Sequence, residues 1–356
     1  MKIEAIISYL KNYGGPEIRI MEVCGTHTAA IFKNGIRSLL PPAIRLVSGP
    51  GCPVCVTPAA YIDRCVAYAV TPGHAVFSFG DMMKVPGTEY SLAGAKGAGG
   101  RVEIMYSPPE IVSRAKNDPE TVYVLAAVGF ETTAPAYALA LEEAAAAGVK
   151  NLRLVTALKS AVPALRWISE SEDGIDGFIC PGHVSVITGA RVFAELEAEY
   201  GKPFVVSGFE GEHILAAVYR IVRFTEDKRS GADASPAARN LYPSAVTEEG
   251  NRRAQQYISK YFETGAAVWR GLGAIAGSGF YLKAEYAGFD GGSRGLDRDR
   301  DLPAGCRCGD VVTGRTDPDG CPMFGKECRP EHPFGPCMVS AEGACGIWHQ
   351  NREVHK

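Results

Sequence analysis

The sequence has no long hydrophobic run and no dominant charge. No stretch reaches the ~18 continuous apolar residues of a membrane-spanning helix. Met1–Gly15 carries Glu4 early and breaks its apolar run at Lys11, so it lacks the basic start, apolar stretch and cleavage site of a secretory leader. Lys and Arg number 37 against 40 Asp and Glu, a formal net charge of −3. That leaves no basic face for nucleic acid and no polybasic reach toward an anionic membrane. Together these absences predict a cytoplasmic protein with neither nucleic acid nor membrane among its partners. Cysteine, by contrast, is plentiful. The chain has 11, and in a reducing compartment they are read as metal ligands or redox thiols before disulfides. Disulfides are not needed for stability either, because 46% of the 356 residues are hydrophobic, enough for two or three ordinary cores.

From Ile18 to Phe209 short apolar runs alternate with amphipathic segments. Ile18–Val23, Ile44–Val47, Ala75–Phe79, Val102–Tyr106, Val122–Val128, Leu152–Thr156, Gly177–Ile179 and Phe204–Val206 read as buried strands. Ala134–Ala147 and Thr188–Tyr200 have helical spacing. This alternation predicts an α/β fold with parallel sheets covered by helices on both faces. Val23-Cys24-Gly25-Thr26-His27-Thr28-Ala29 is echoed by Val128-Gly129-Phe130-Glu131-Thr132-Thr133-Ala134. Pro50-Gly51-Cys52 is echoed by Pro181-Gly182-His183. The echoes predict two related α/β domains facing each other, placed at 1–118 and 119–225. Glu226–Pro236 reads as a surface loop, Thr247–Thr264 as a helix, and 226–356 as a third domain. Its final section has six cysteines and little periodicity, a composition that usually needs a metal to order it.

The cysteines fall into three groups. Cys24 ends a strand where a helix begins, the place where ligands bind in parallel sheets. There the helix dipole is expected to lower its pKa, and His27 is a candidate second ligand. A buried structural cysteine beside a capping threonine is the plain alternative. Cys52-Pro53-Val54-Cys55 follows Gly49-Pro50-Gly51, and its spacing suits a redox pair or half a metal site. Cys65, inside a predicted helix, is expected to be a core residue. In the tail, Cys308, Cys321, Cys328 and Cys345 are spaced C-x12-C-x6-C-x16-C. Four thiolates can hold zinc or an iron–sulfur cluster, and the wide, proline-containing loops favour the cluster. Cys306 and Cys337 are left over as a candidate redox pair.

Taken together, Cys24-Gly25-Thr26-His27-Thr28, Gly49-Pro50-Gly51-Cys52-Pro53-Val54-Cys55-Val56, Pro181-Gly182-His183 and the four-cysteine tail resemble the HypD family of [NiFe]-hydrogenase maturation proteins. Phe79-Gly80-Asp81-Met82-Met83-Lys84-Val85-Pro86-Gly87, Gly129-Phe130-Glu131-Thr132-Thr133-Ala134-Pro135 and Trp269-Arg270-Gly271-Leu272-Gly273 fit as well. The resemblance runs over nearly the whole chain. It implies two Rossmann-like domains facing a cleft, plus a mostly helical or irregular C-terminal domain carrying a [4Fe–4S] cluster on Cys308, Cys321, Cys328 and Cys345. It also implies an assembly scaffold rather than a turnover enzyme. With a HypC-type partner the scaffold would hold iron while cyanide, delivered from a HypE-type donor, and carbon monoxide are attached. The product would pass to the hydrogenase large subunit. Cys24 would be the iron ligand, Cys52 and Cys55 a redox-active pair, and His183 a residue of the cleft. The competing class is a cluster-dependent thiol–disulfide oxidoreductase.

Overall fold

Runs of Val, Ile and Leu only three to eight residues long are too short for buried helices and pack well as strands buried on both faces. The computed structural model describes residues 2–232, 240–299 and 304–351, and every strand expected above is present. They are β1 (Ile18–Glu22), β2 (Ile44–Ser48), β3 (His74–Ser78), β4 (Val102–Ile104), β5 (Val122–Gly129), β6 (Leu152–Leu158), β7 (Gly177–Cys180) and β8 (Phe204–Val206). One sheet runs β2-β1-β7-β8 and the other β4-β3-β5-β6. All pairings within them are parallel.

Each sheet is apolar on both faces because helices cover both. In the first sheet Ile18, Ile20 and Leu46 pack toward helices Ile3–Lys11 and Gly211–Arg229. Met21, Val47 and Phe178 pack toward Ala161–Ser171 and Arg191–Tyr200. In the second, Phe77, Leu125 and Leu154 meet Pro108–Asn117 and Ala134–Ala146. Its opposite face, with Val76, Val124 and Val155, meets helix Ala59–Val70, and Cys65 is a core residue there.

The sheets do not follow the expected consecutive units 1–118 and 119–225. β1 and β2 pair with β7 and β8, while β3 and β4 pair with β5 and β6. The chain crosses between sheets twice. After β2 the Cys52–Cys55 turn hands it to helix Ala59–Val70 on the second sheet, and after β6 helix Ala161–Ser171 returns it to the first. Of the two sequence echoes, the Cys24 and Phe130 turns each follow an inner strand of a different sheet. The Pro50 and Pro181 turns both belong to the first.

Beyond the sheets, helix Gly211–Arg229 runs into the expected loop at 226–236, whose residues 233–236 lie outside the described residues. The next helix is Arg252–Tyr261, shorter than expected. β9 (Phe262–Trp269) follows it directly and forms an antiparallel hairpin with β10 (Gly273–Leu282). The hairpin turns at Arg270-Gly271-Leu272, where Gly271 has φ +84° and a Cβ would sit 2.9 Å from the Cα of Gly309. Only glycine suits that conformation and that closeness. The cysteine-rich tail is mainly irregular, with short helices at Cys308–Val312 and Ala344–Gln350.

Candidate functional site

The carboxyl ends of β1, β2 and β7 meet the turns after β5 and β6 across a cavity of about 160 Å3. Cys24 and His183 line it from the first sheet, Phe130, Thr132 and Thr133 from the second, and Glu342 from the tail. Close backbone approach explains the glycines of the first two motifs. A Cβ on Gly51 would lie 2.3 Å from the Cys24 nitrogen, and one on Gly25 2.2 Å from the Glu342 carbonyl oxygen. The glycines let three chain segments converge on the Cys24 turn.

Cys24 is extended (φ −157°, ψ 122°) immediately before helix Gly25–Lys33. It is only 7% exposed, and burial pushes its thiol up to about 11. This reverses the expected dipole-lowered value, because removing a thiolate from water costs more here than the first helical turn returns. Its N–H donates to Glu22 Oε2 (3.3 Å), and the Thr28 hydroxyl donates to Oε1 of the same carboxylate. Glu22 is buried, which raises it to about 7 despite those donors. A charged residue ending an apolar strand run was the signal by which sequence reading could have found it.

His27 does not reach the cavity. It is fully buried, and its Nε2–H donates to the Gly208 carbonyl at 3.1 Å. Burial lowers its pKa to about 4, so the ring is neutral and serves to fasten the segment after β8. Phe209 lies between the two motif histidines, with ring centroids 4.7 Å from His27 and 4.2 Å from His183. His183 is exposed to solvent, and partial desolvation lowers its pKa. Nothing in the sequence marked Phe209.

Cys52 and Cys55 form a disulfide with Cα atoms 5.3 Å apart. They are buried, and they share one packed cluster with Cys65, Cys308 and Cys337 on the face of the second sheet that meets helix Ala59–Val70. Most of the cysteines are interior, with Cys24, Cys65, Cys180, Cys308, Cys328 and Cys337 buried as well. In the tail, Cys306, Cys308, Cys321, Cys328, Cys337 and Cys345 line a single pocket. The close sulfur contact is Cys308 with Cys337, at 3.8 Å, in place of the expected Cys306 with Cys337. Hydrogen bonding between them lowers Cys308 and raises Cys337. Among the described residues no three His, Cys, Asp or Glu side chains converge on a point where one metal ion would sit. Six sulfurs around a pocket suit a multi-iron cluster, in which each thiolate binds its own iron, better than a single tetrahedral ion.

Such a molecule is a two-sheet α/β protein with a thiol-lined cleft and a cysteine-rich appendage packed against it. Comparison with known proteins names the family. Residues 2–352 match the profile of HypD, the hydrogenase formation hypA family. The hydrogenase maturation factor HypD of Escherichia coli K12 is 40% identical over 350 residues, covering 97% of this chain and 92% of that protein. The Rhodobacter capsulatus factor of the same name is 39% identical, covering 94% and 89%. A putative hydrogenase expression/formation protein of Methanocaldococcus jannaschii is 37% identical, covering 95% and 93%. The chain belongs to the HypD family of hydrogenase maturation factors. No helix among the described residues is long and apolar enough to cross a membrane.

Proposed function

We propose that this maturation factor is a scaffold on which an iron ion receives two cyanides and one carbon monoxide, with Cys24 as the ligand from this chain. The convergence of Cys24 and His183 on one interdomain cavity carries the reading. Iron with these diatomic ligands favours soft thiolate donors, and coordination itself removes the thiol proton that burial otherwise retains. A HypC-type partner would close the cleft and supply a second thiolate, and a HypE-type protein would deliver cyanide. His183, which lines the same cavity, would donate a hydrogen bond to the cargo.

The tail pocket would hold a [4Fe–4S] cluster, which supplies one-electron chemistry when bound. Because Cys308 is taken up by Cys337, we assign the four ligands to Cys306, Cys321, Cys328 and Cys345. Cys308 and Cys337 become a dithiol lying in the same packed cluster as Cys52 and Cys55. A general thiol–disulfide oxidoreductase is disfavoured, since Cys52 and Cys55 are 5% and 1% exposed and out of reach of a protein substrate.

The test is anaerobic co-purification with the HypC-type partner followed by infrared spectroscopy. Cyanide and carbon monoxide bands are expected with wild type and absent with Cys24→Ala, while the tail keeps its iron. Unchanged bands in that variant would overturn the assignment.

A further inference from the structure

The lining of the Cys24 cavity combines apolar and hydroxyl-bearing side chains. Val23, Pro50, Ala161, Ala164 and Val184 contribute apolar surface, and Thr132 and Thr133 contribute two hydroxyl-bearing side chains. Gly129 makes that placement possible, since a Cβ there would fall 2.4 Å from the Cβ of Thr133. The turn is held by the Thr133 N–H donating to the Phe130 carbonyl (3.0 Å), and Ala134 opens the next helix. Neither threonine hydroxyl has a hydrogen-bond partner among the described residues, so both remain available to a ligand.

The proposed cargo is divided in the same way. A cyanide bound to iron through carbon keeps a lone pair and negative charge on nitrogen and accepts hydrogen bonds well. The oxygen of a metal carbonyl is a feeble acceptor and tolerates an apolar wall. A site with fixed donors discriminates strongly for the ligand able to accept from them. We propose that Thr132 and Thr133 are positioning residues whose hydroxyls donate to the cyanide nitrogens, leaving the carbonyl to the apolar part of the lining. This rests on the scaffold reading above and extends it from where the iron sits to how its ligands are sorted.

Infrared spectroscopy of the anaerobic complex tests it, with 13C-labelled cyanide to assign the bands. Thr132→Val and Thr133→Val keep the shape and remove only the hydroxyl. At least one is expected to displace a cyanide band while the carbonyl band stays at its wild-type position. Thr132→Ser and Thr133→Ser should restore the wild-type positions. Unmoved cyanide bands in both valine variants would overturn the proposal, as would a shift of the carbonyl band alone. If a valine variant carries no cargo, its serine counterpart decides: wild-type bands support the proposal and their absence overturns it. Absence of all such bands from the wild-type complex is a different result, the failure of the scaffold reading itself. Tail iron content and circular dichroism verify that each variant is folded.

Discussion

Glu22 and His27 are both buried beside the Cys24 turn, and they titrate in opposite senses. Glu22 is raised from 4.5 to about 7. Between those values the folded state holds a proton that the unfolded chain has released, so its contribution to stability falls as pH rises. His27 is lowered from 6.5 to about 4. In that window the unfolded chain holds the extra proton, so its contribution rises with pH. Each effect is worth roughly 3 kcal/mol across its window, and in wild type the two largely cancel between pH 4.5 and 6.5. Urea denaturation at several pH values is expected to separate them. Glu22→Gln should become more stable with rising pH over that range, and His27→Gln less stable. Parallel pH profiles for the two variants would contradict the assignment. Sequence reading located Cys24 correctly at a strand end but had the sense of its pKa wrong. The dipole argument presumes access to solvent, and the covering Pro50–Gly51 and Glu342 segments are distant in sequence.

At the scale of elements, the tail shows where spacing leaves a choice open. The intervals between Cys308, Cys321, Cys328 and Cys345 suggested a quartet, but Cys306 and Cys308 are only two residues apart and either could complete it. Both line the tail pocket, but they differ in burial. Cys308 opens a short helix and points into the core against Cys337, while Cys306 remains half-buried at the pocket. Purified without oxygen, Cys308→Ser is expected to retain about four iron and four acid-labile sulfide per chain, and Cys306→Ser to fall below about one of each. The reverse result would return Cys308 to the quartet. The β9–β10 hairpin was missed for a related reason. Glycine-rich strands carry little apolar alternation, and this hairpin is held along β6 by contacts such as the Ser160 N–H donating to the Ser278 carbonyl (2.8 Å).

For the whole molecule, the double crossing between sheets makes the first two units interdependent. A fragment ending at Asp118 would contain β1 to β4 but only two strands of each sheet. Two-stranded sheets without their partners are not stable alone. The fragment is expected to show no cooperative thermal transition by circular dichroism, whereas the full chain shows one. A folded 1–118 fragment would contradict the interleaved architecture. The tail ties the assembly further, with Arg315 paired to Glu172 at 2.7 Å and Phe32 packed edge-on to Trp348. Strand positions, the parallel class and the family were all determined by the sequence alone, because periodicity, turn residues and motif order are local properties of a chain. Tertiary structure decided which strands are neighbours, which sulfurs meet, and that Cys24 and His27 lie out of water. Those outcomes depend on contacts between separate segments, such as Gly25 with Glu342 and His27 with Gly208, and no local pattern records such contacts.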